Sequence, residues 1–265
     1  MSSQKETTLS RQLLSRLDGT ARRVAEFLLN DPEVKCLQDY ANVVSIRRLG
    51  FNDHGPVHMR MVALNALTML NLLRNAGVKL TLEQEEQGTF EDSTVAVLIA
   101  AFLHDAGMSI GRELHERNAI FLAYPIMERL LNETYPDLHQ RVVVRSLAME
   151  CMLGHMGTQK VHSLEAGVVL IADGCDMEKG RARIPMMLKT ASKVGDIHKY
   201  SAAAIKRVTI GKGAERPIRI TVLMTDMAGF FQIEEVFFTK INSSPVKPYI
   251  ELHAGTSRET MKCYL

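Results

Sequence analysis

Two adjacent ionisable residues, His104 and Asp105, close the most apolar stretch of the sequence, STVAVLIAAFLHD. Moving an unpaired carboxylate away from water is costly, so a buried aspartate is normally paired or bound to a metal ion. Imidazole nitrogen and carboxylate oxygen together suit iron, manganese, zinc or nickel better than a purely hard or a purely soft ion. The pair therefore predicts a transition-metal site and leaves the identity of the metal open.

Further histidines and an aspartate stand at the ends of other predicted helices. Helix ends from separate segments can meet at one end of a bundle, where helical proteins build metal sites from facing side chains. The additional candidate ligands are His58, His115, His155 and Asp173. Each has a plain alternative, because a histidine in a helical protein is often only a hydrogen-bonded core or surface residue.

The apolar pattern supplies the helices that would position these residues. Apolar residues at three-to-four spacing predict helices over 10–30, 57–76, 93–105, 116–134, 138–154 and 163–175. The helix over 93–105 is apolar on all sides, which places it in the centre of a bundle. From Arg216 the pattern changes to a strand, a helix and a strand. We therefore expect a mostly α protein, with a helical-bundle domain over 1–205 and a small β-α-β unit over 206–265.

Composition excludes several classes of protein. With 46% apolar and 23% charged residues, the chain is far from the disordered class. A net charge of +2 gives no strong field for nucleic acid or for an anionic membrane. The four cysteines form no CxxC pair, which argues against a thiolate zinc site and a secreted disulfide framework. Because the sequence shows neither an export signal nor a membrane-spanning apolar run, we expect a cytoplasmic protein.

The order of a histidine, a His-Asp pair and a later aspartate resembles the signature of the HD superfamily of metal-dependent phosphohydrolases. The motifs are HMRMVALNA from His58, LIAAFLHDAG around His104 and Asp105, and VLIADGCD around Asp173. The likeness covers about residues 50 to 180, and within the family the HD domain of ribonuclease Y and its relatives is nearest in pattern. The sequence shows no counterpart of that enzyme's membrane anchor, coiled coil and KH module, so its role in RNA degradation is not carried over.

The resemblance implies a phosphomonoesterase or phosphodiesterase that acts on a small nucleotide-like phosphate ester. Many members hold a second metal with two further histidines, and His115 and His155 occupy the matching places. The implied centre contains two divalent ions (Mn, Fe, Ni or Zn, with Mg open), bridged by Asp105, and a metal-bound hydroxide attacks phosphorus in line. With one metal only, His115 and His155 would contact the substrate instead. Some relatives have a His-His pair where this chain has His155 and Met156, so one further ligand is absent.

Other polar residues near the motifs are candidates for proton transfer and phosphate binding. His54 precedes His58 by four residues, which resembles the HNxxH spacing of cyclic-nucleotide phosphodiesterases and implies that His54 is a general acid. The alternative is that His54 caps the helix or hydrogen-bonds a ligand. Cationic side chains bind phosphate oxygens, although a short basic run is often only a solvated face. The candidate substrate-binding residues are Lys179, Arg181, Arg183 and Arg112.

Two alternative hypotheses remain open from the sequence. In one, the chain is a regulatory or binding module with a structural metal, and its C-terminal unit binds a partner or forms a homo-oligomer. The support for this hypothesis is an aromatic-rich helix that carries Phe230, Phe231, Phe237 and Phe238. In the other, a related di-iron site performs oxygenase chemistry, which oxygen consumption would distinguish from hydrolysis.

Overall fold

A computed structural model describes residues 3–178, 201, 203–257 and 259–265 of the chain. Over these residues the protein is mostly α-helical, with a small four-stranded sheet near the C-terminus. The predicted fold class is therefore confirmed. The described helices include none with the length and apolar character needed to span a bilayer.

The helices ahead of the sheet follow the predicted order, except that one predicted helix is divided and that two helices, the third and the short fifth, were not predicted. They are α1 (Gln4–Leu14), α2 (Gly19–Asn30), α3 (Pro32–Val43), α4 (Pro56–Asn75), α5 (Thr81–Gln84), α6 (Phe90–Leu103), α7 (His115–Thr134), α8 (Leu138–Gly154) and α9 (Leu164–Cys175). The prediction of one helix over 10–30 was wrong, because α1 ends at Leu14 and a new helix begins after Asp18, which is extended, at Gly19, which has a φ of 51°. Helix α3 was not predicted; it begins at Pro32 after the capping side chain of Asp31.

Helix α6 lies at the centre of the bundle, as its pattern predicted. Every residue from Asp92 to Leu103 is buried, and α2, α4, α8 and α9 pack around the helix. Its start is fixed by a capping box, in which the side chains of Thr89 and Asp92 each accept a hydrogen bond from the other's backbone. Because α6 is buried from Asp92 to its end, the residues that follow its last turn, His104 and Asp105, are also inside the protein.

A short 3₁₀ turn, Ala106–Ser109, connects α6 to α7 and packs directly on the first turns of α7. Gly107 has no space for a side chain, since a Cβ atom there would collide with the carbonyl oxygen of His115 and lie 2.7 Å from the backbone nitrogen of Ala119. This close approach holds Asp105 and His115 next to each other.

The sheet is formed by β1 (Ile205–Lys212), β2 (Ile218–Met224), β3 (Ile250–Gly255) and β4 (Lys262–Cys263), in that spatial order. Strands β2 and β3 are parallel, and the helix over 229–243 connects them, so the predicted β-α-β arrangement is confirmed. That helix consists of α10 (Gly229–Phe231), a π-helical stretch (Gln232–Phe237) and α11 (Phe238–Ser243). The antiparallel strands β1 and β4 were not predicted. Strand β1 is a largely exposed edge strand, so it lacks a clear apolar alternation.

The C-terminal unit, defined here as the described residues from Ile205 onward, packs on α9 through a continuous apolar core. Two glycines on α9 permit this contact. A Cβ atom on Gly167 would lie 2.6 Å from the hydroxyl of Ser244, and one on Gly174 would lie 2.9 Å from the ring of Phe237. Phe237 is fully buried, and Phe230 and Phe238 are partly buried against the same core, so packing within the chain accounts for these aromatics. The predicted domain limits, 1–205 and 206–265, stay predictions.

We predict that Gly107→Ala lowers the free energy of unfolding by about 1 to 3 kcal/mol, the usual cost of forcing extra atoms into a packed site. The reason is that the new methyl group must displace the backbone of α7. Urea denaturation followed by circular dichroism measures the change. Gly111→Ala is the matched control in the same connection, because a Cβ atom there meets nothing within 4 Å. An equal loss of stability in both variants would contradict this account.

Candidate metal centre

The six predicted metal ligands lie together at one end of the bundle, and all are buried. They are His58 in the first turn of α4, His104 and Asp105 after the last turn of α6, His115 at the start of α7, His155 after α8, and Asp173 in the last turn of α9. The structure thus brings together side chains that five separate stretches of the chain contribute.

Asp105 lies in the middle of this cluster, and its two oxygens face different histidines. Its Oδ2 is 3.4 Å from Nε2 of His58 and 3.3 Å from Nε2 of His104. Its Oδ1 is 3.3 Å from Nε2 of His115 and 3.4 Å from Nε2 of His155. A carboxylate placed in this way can bridge two groups of ligands.

Asp173 completes the group on the Oδ2 side of Asp105. Its Oδ1 is 3.2 Å from Nε2 of His58 and 3.9 Å from Nε2 of His104. The ligand atoms of His58, His104 and Asp173 all lie within 4.8 Å of one another, as do those of His104, Asp105 and His155. Either group of three could hold a metal ion.

The outer ring nitrogens of the histidines are held by hydrogen bonds that fix the tautomer. Each Nδ1 donates to a backbone carbonyl one turn earlier: Ala101 for His104 (3.2 Å), Arg112 for His115 (2.9 Å) and Met152 for His155 (2.7 Å). Because a carbonyl only accepts, the proton sits on Nδ1 and the lone pair of Nε2 points into the cluster. This is the tautomer that a metal ligand requires.

Two features of the inner nitrogens fit a positive ion in the cluster. Nε2 of His115 and Nε2 of His155 are only 3.1 Å apart, so their lone pairs repel unless a proton or a metal ion lies between them. Nε2 of His104 is buried and has no hydrogen-bond partner within the described residues. A buried polar atom normally has a partner, and a metal ion would provide it.

The charges of the two aspartates also suit a cation. Burial alone would raise the pKa of Asp105, but the neighbouring imidazoles, first His104 and then His54, lower that pKa well below its usual value when they carry a second proton. Burial would also raise the pKa of Asp173. The positive charge of Lys240 is the main cause that instead lowers this pKa well below its usual value. Both carboxylates are therefore ionised at neutral pH and provide negative charge at the cluster.

Helix dipoles of opposite direction meet at the cluster. The carboxyl ends of α6, α8 and α9 meet at the cluster, at His104, His155 and Asp173. The unpaired carbonyls at such an end correspond to about half a negative elementary charge, which stabilises a nearby cation. The amino ends of α4 and α7, at His58 and His115, act in the opposite sense. The preference of the cluster for a cation therefore comes mainly from its two aspartates.

His54 lies at the edge of the cluster, with its Nε2 4.0 Å from Oδ2 of Asp105. Its Nδ1 is 2.8 Å from the hydroxyl of Ser45 and 2.6 Å from the carbonyl oxygen of Asn52. The N-cap of α4 is Gly55, and no side chain caps that helix end, so His54 does not serve as the cap. The ring is held so that Nε2 faces Asp105.

Of the four predicted substrate-binding residues, the structure describes only Arg112. Arg112 lies near the cluster, with its guanidinium 5.5 Å above the ring of Phe51. It lines a surface cavity of about 370 Å³, together with Leu114, His115, Glu116, Arg117, Met156, Thr158 and Gln159. The other three, Lys179, Arg181 and Arg183, lie outside the described residues.

Sequence reasoning missed three charged residues that contact the cluster, and one of them is Glu116, whose Oε2 is 3.5 Å from Nδ1 of His115. Oδ2 of Asp176 is 2.6 Å from Nδ1 of His58, and such a partner on the outer nitrogen orients a metal-binding histidine. Asp176 is the last residue of the VLIADGCD motif, so its closeness in sequence to Asp173 could have indicated that it lies near the cluster. Lys240 donates to Oδ2 of Asp173 at 2.6 Å. It comes from the C-terminal unit, 67 residues later in the chain, and no local pattern indicated it.

Comparison with curated proteins identifies an archaeal relative, described as "Uncharacterized protein MJ1020", from Methanocaldococcus jannaschii. The two sequences are 37% identical over 246 residues, which is 93% of each chain. No known protein-family profile and no solved structure matches the chain.

We predict that Asp105→Asn weakens Mn²⁺ binding by about 100-fold or more, since loss of even an outer partner of a metal ligand costs about 10- to 100-fold. The substitution keeps the size of the side chain and removes the central charge. Isothermal titration calorimetry of the metal-free protein measures the affinity. His162→Ala removes an exposed histidine outside the cluster and is expected to bind Mn²⁺ as the wild type does. Unchanged affinity in Asp105→Asn would contradict the assignment.

Proposed function

The chain belongs to one family with the Methanocaldococcus jannaschii protein MJ1020, and we propose that it is a metal-dependent phosphohydrolase with a centre of two divalent ions. The observation that carries the proposal is the placement of Asp105, whose two oxygens face separate pairs of histidines. The proposal agrees with the resemblance of the motifs to the HD superfamily.

The ligands divide into two groups around the Asp105 bridge. One ion would be held on the Oδ2 side by His58, His104 and Asp173, and the other on the Oδ1 side by His115 and His155. Mixed nitrogen and oxygen ligands favour Mn, Fe, Ni or Zn, and Mg remains open. Such a pair of ions, when bound, activates water as a nucleophile and neutralises charge on phosphoryl oxygens.

His54 is in a position to act as the general acid. Its Nδ1 faces the carbonyl oxygen of Asn52, which accepts a hydrogen bond from that nitrogen. A second proton on Nε2, near the carboxylate of Asp105, would then point toward the cluster. In this arrangement the imidazolium of His54 donates that proton to the leaving oxygen of the substrate.

The cavity beside His115 is a suitable place for the rest of a phosphate ester. Arg112 and Arg117 both line it, and guanidinium groups bind phosphate oxygens with paired hydrogen bonds. The nucleotide-like character of the substrate comes from the resemblance to the HD superfamily. A role for Lys179, Arg181 and Arg183 in binding the substrate remains part of this proposal from the sequence.

The direct test is hydrolysis of bis-p-nitrophenyl phosphate and of a panel of nucleotides and cyclic nucleotides, with added Mn²⁺. We expect turnover by the wild type and by the His162→Ala control, and none above background by Asp105→Asn, because the bridging charge is gone. Metal binding without turnover of any substrate would contradict the enzymatic proposal and favour a structural metal in a regulatory module.

A separate prediction concerns His54. Removing a general acid costs about 10²- to 10⁴-fold when the leaving group needs a proton. We expect His54→Gln to lower turnover of the nucleotide substrate by that factor. The same variant should hydrolyse bis-p-nitrophenyl phosphate much closer to the wild-type rate, because p-nitrophenolate leaves without protonation. Equal losses on both substrates would contradict the general-acid role.

A further inference from the structure

Lys240 extends from α11 of the C-terminal unit into the cluster formed by α4 to α9. Its Nζ is 2.6 Å from Oδ2 of Asp173 and 3.0 Å from the carbonyl oxygen of His155. The side chain is 13% exposed. Asp173 stands on the Oδ2 side of Asp105 and His155 stands on the Oδ1 side, so a single ammonium group contacts a residue from each side.

The contact with Asp173 decides which of its oxygens faces the cluster. Oδ2 accepts the hydrogen bond from Lys240, while Oδ1 lies 3.2 Å from Nε2 of His58. A protonated amine has three N–H donors and no lone pair, so Lys240 in this state cannot be a metal ligand. It holds the carboxylate with one oxygen directed inward.

Two glycines lie against the side chain of Lys240 and leave space for it beside the cluster. Gly174 follows Asp173 directly, and a Cβ atom there would lie 2.9 Å from the ring of Phe237 and 3.3 Å from Cδ of Lys240. Gly157 follows His155 by two residues, and a Cβ atom there would lie 3.8 Å from Cγ of Lys240. The aliphatic stem of the lysine thus passes over two glycines, each beside a residue that the ammonium group contacts.

We propose that Lys240 is a positioning residue of the metal centre, and that the C-terminal unit is therefore a structural component of the site. The inference rests on the proposed metal centre. Lys240 fixes Asp173 as a ligand with one inward oxygen and holds the backbone at His155, so that both sides of the Asp105 bridge keep their relative position.

The test is a Co²⁺ titration of the full chain, followed by visible absorption, which reports affinity and the coordination of the bound ion. Lys240→Met keeps the length of the stem and removes the donors. It is expected to weaken Co²⁺ binding by about 10-fold, the lower range for loss of an outer partner, and to change the absorption bands. Lys240→Arg, which keeps the charge and donors, should recover most of the affinity. Lys212→Met, an exposed lysine on β1, should match the wild type.

The outcomes separate this inference from the proposed function. Absence of Co²⁺ binding by the wild type would contradict the metal centre itself. Binding by the wild type with the same affinity and bands in Lys240→Met would overturn the role of Lys240 and leave the metal centre standing. Circular dichroism checks that each variant is folded. If Lys240→Met does not fold, Lys240→Gln takes its place, and wild-type affinity and bands in that variant overturn the inference.

Discussion

The buried carboxylate of Asp105 is the constraint on which the arrangement of this protein depends. Transferring a single ion from water to a protein interior costs several kcal/mol even after relaxation, and here a second carboxylate, that of Asp173, is buried beside it. Inward-facing imidazoles do not balance these charges while they are neutral. Protons, the ammonium group of Lys240 and bound cations are the means of balancing them. Metal binding and folding stability are therefore coupled in such a cluster.

The position of Asp105 follows from the character of α6. A helix that is apolar on all sides gains most when every face is covered, and this places its last turn, and the residues after it, in the interior. The ends of α4, α7, α8 and α9 lie beside the last turn of α6 and contribute the other residues of the cluster. The close contact of Gly107 with α7 holds Asp105 and His115 near each other, so local backbone packing also shapes the cluster.

The spacing of apolar residues was sufficient to predict α4, α6 and the helices that follow. Each of these helices buries an apolar stripe or surface that one continuous segment provides. The six candidate ligands also came from the sequence, through the buried His-Asp pair and the resemblance of the motifs to the HD superfamily, and the structure places them together. Among the features that escaped, three have clear physical reasons. The break at Gly19 depends on one backbone angle, β1 is an exposed edge strand, and the contact of Lys240 with Asp173 arises only from tertiary packing.

The long separation between Lys240 and Asp173 has a consequence for biosynthesis. Ribosomes make a chain from its N-terminus, and segments fold as they are completed. Helices α4 to α9 can pack before the C-terminal unit exists, yet the carboxylate of Asp173 lacks its ammonium partner until residue 240 has been added. The ionic cluster is therefore completed only after this last part of the chain has been made. A metal ion bound through Asp173 would meet the cluster in its final form only after the C-terminal unit has folded.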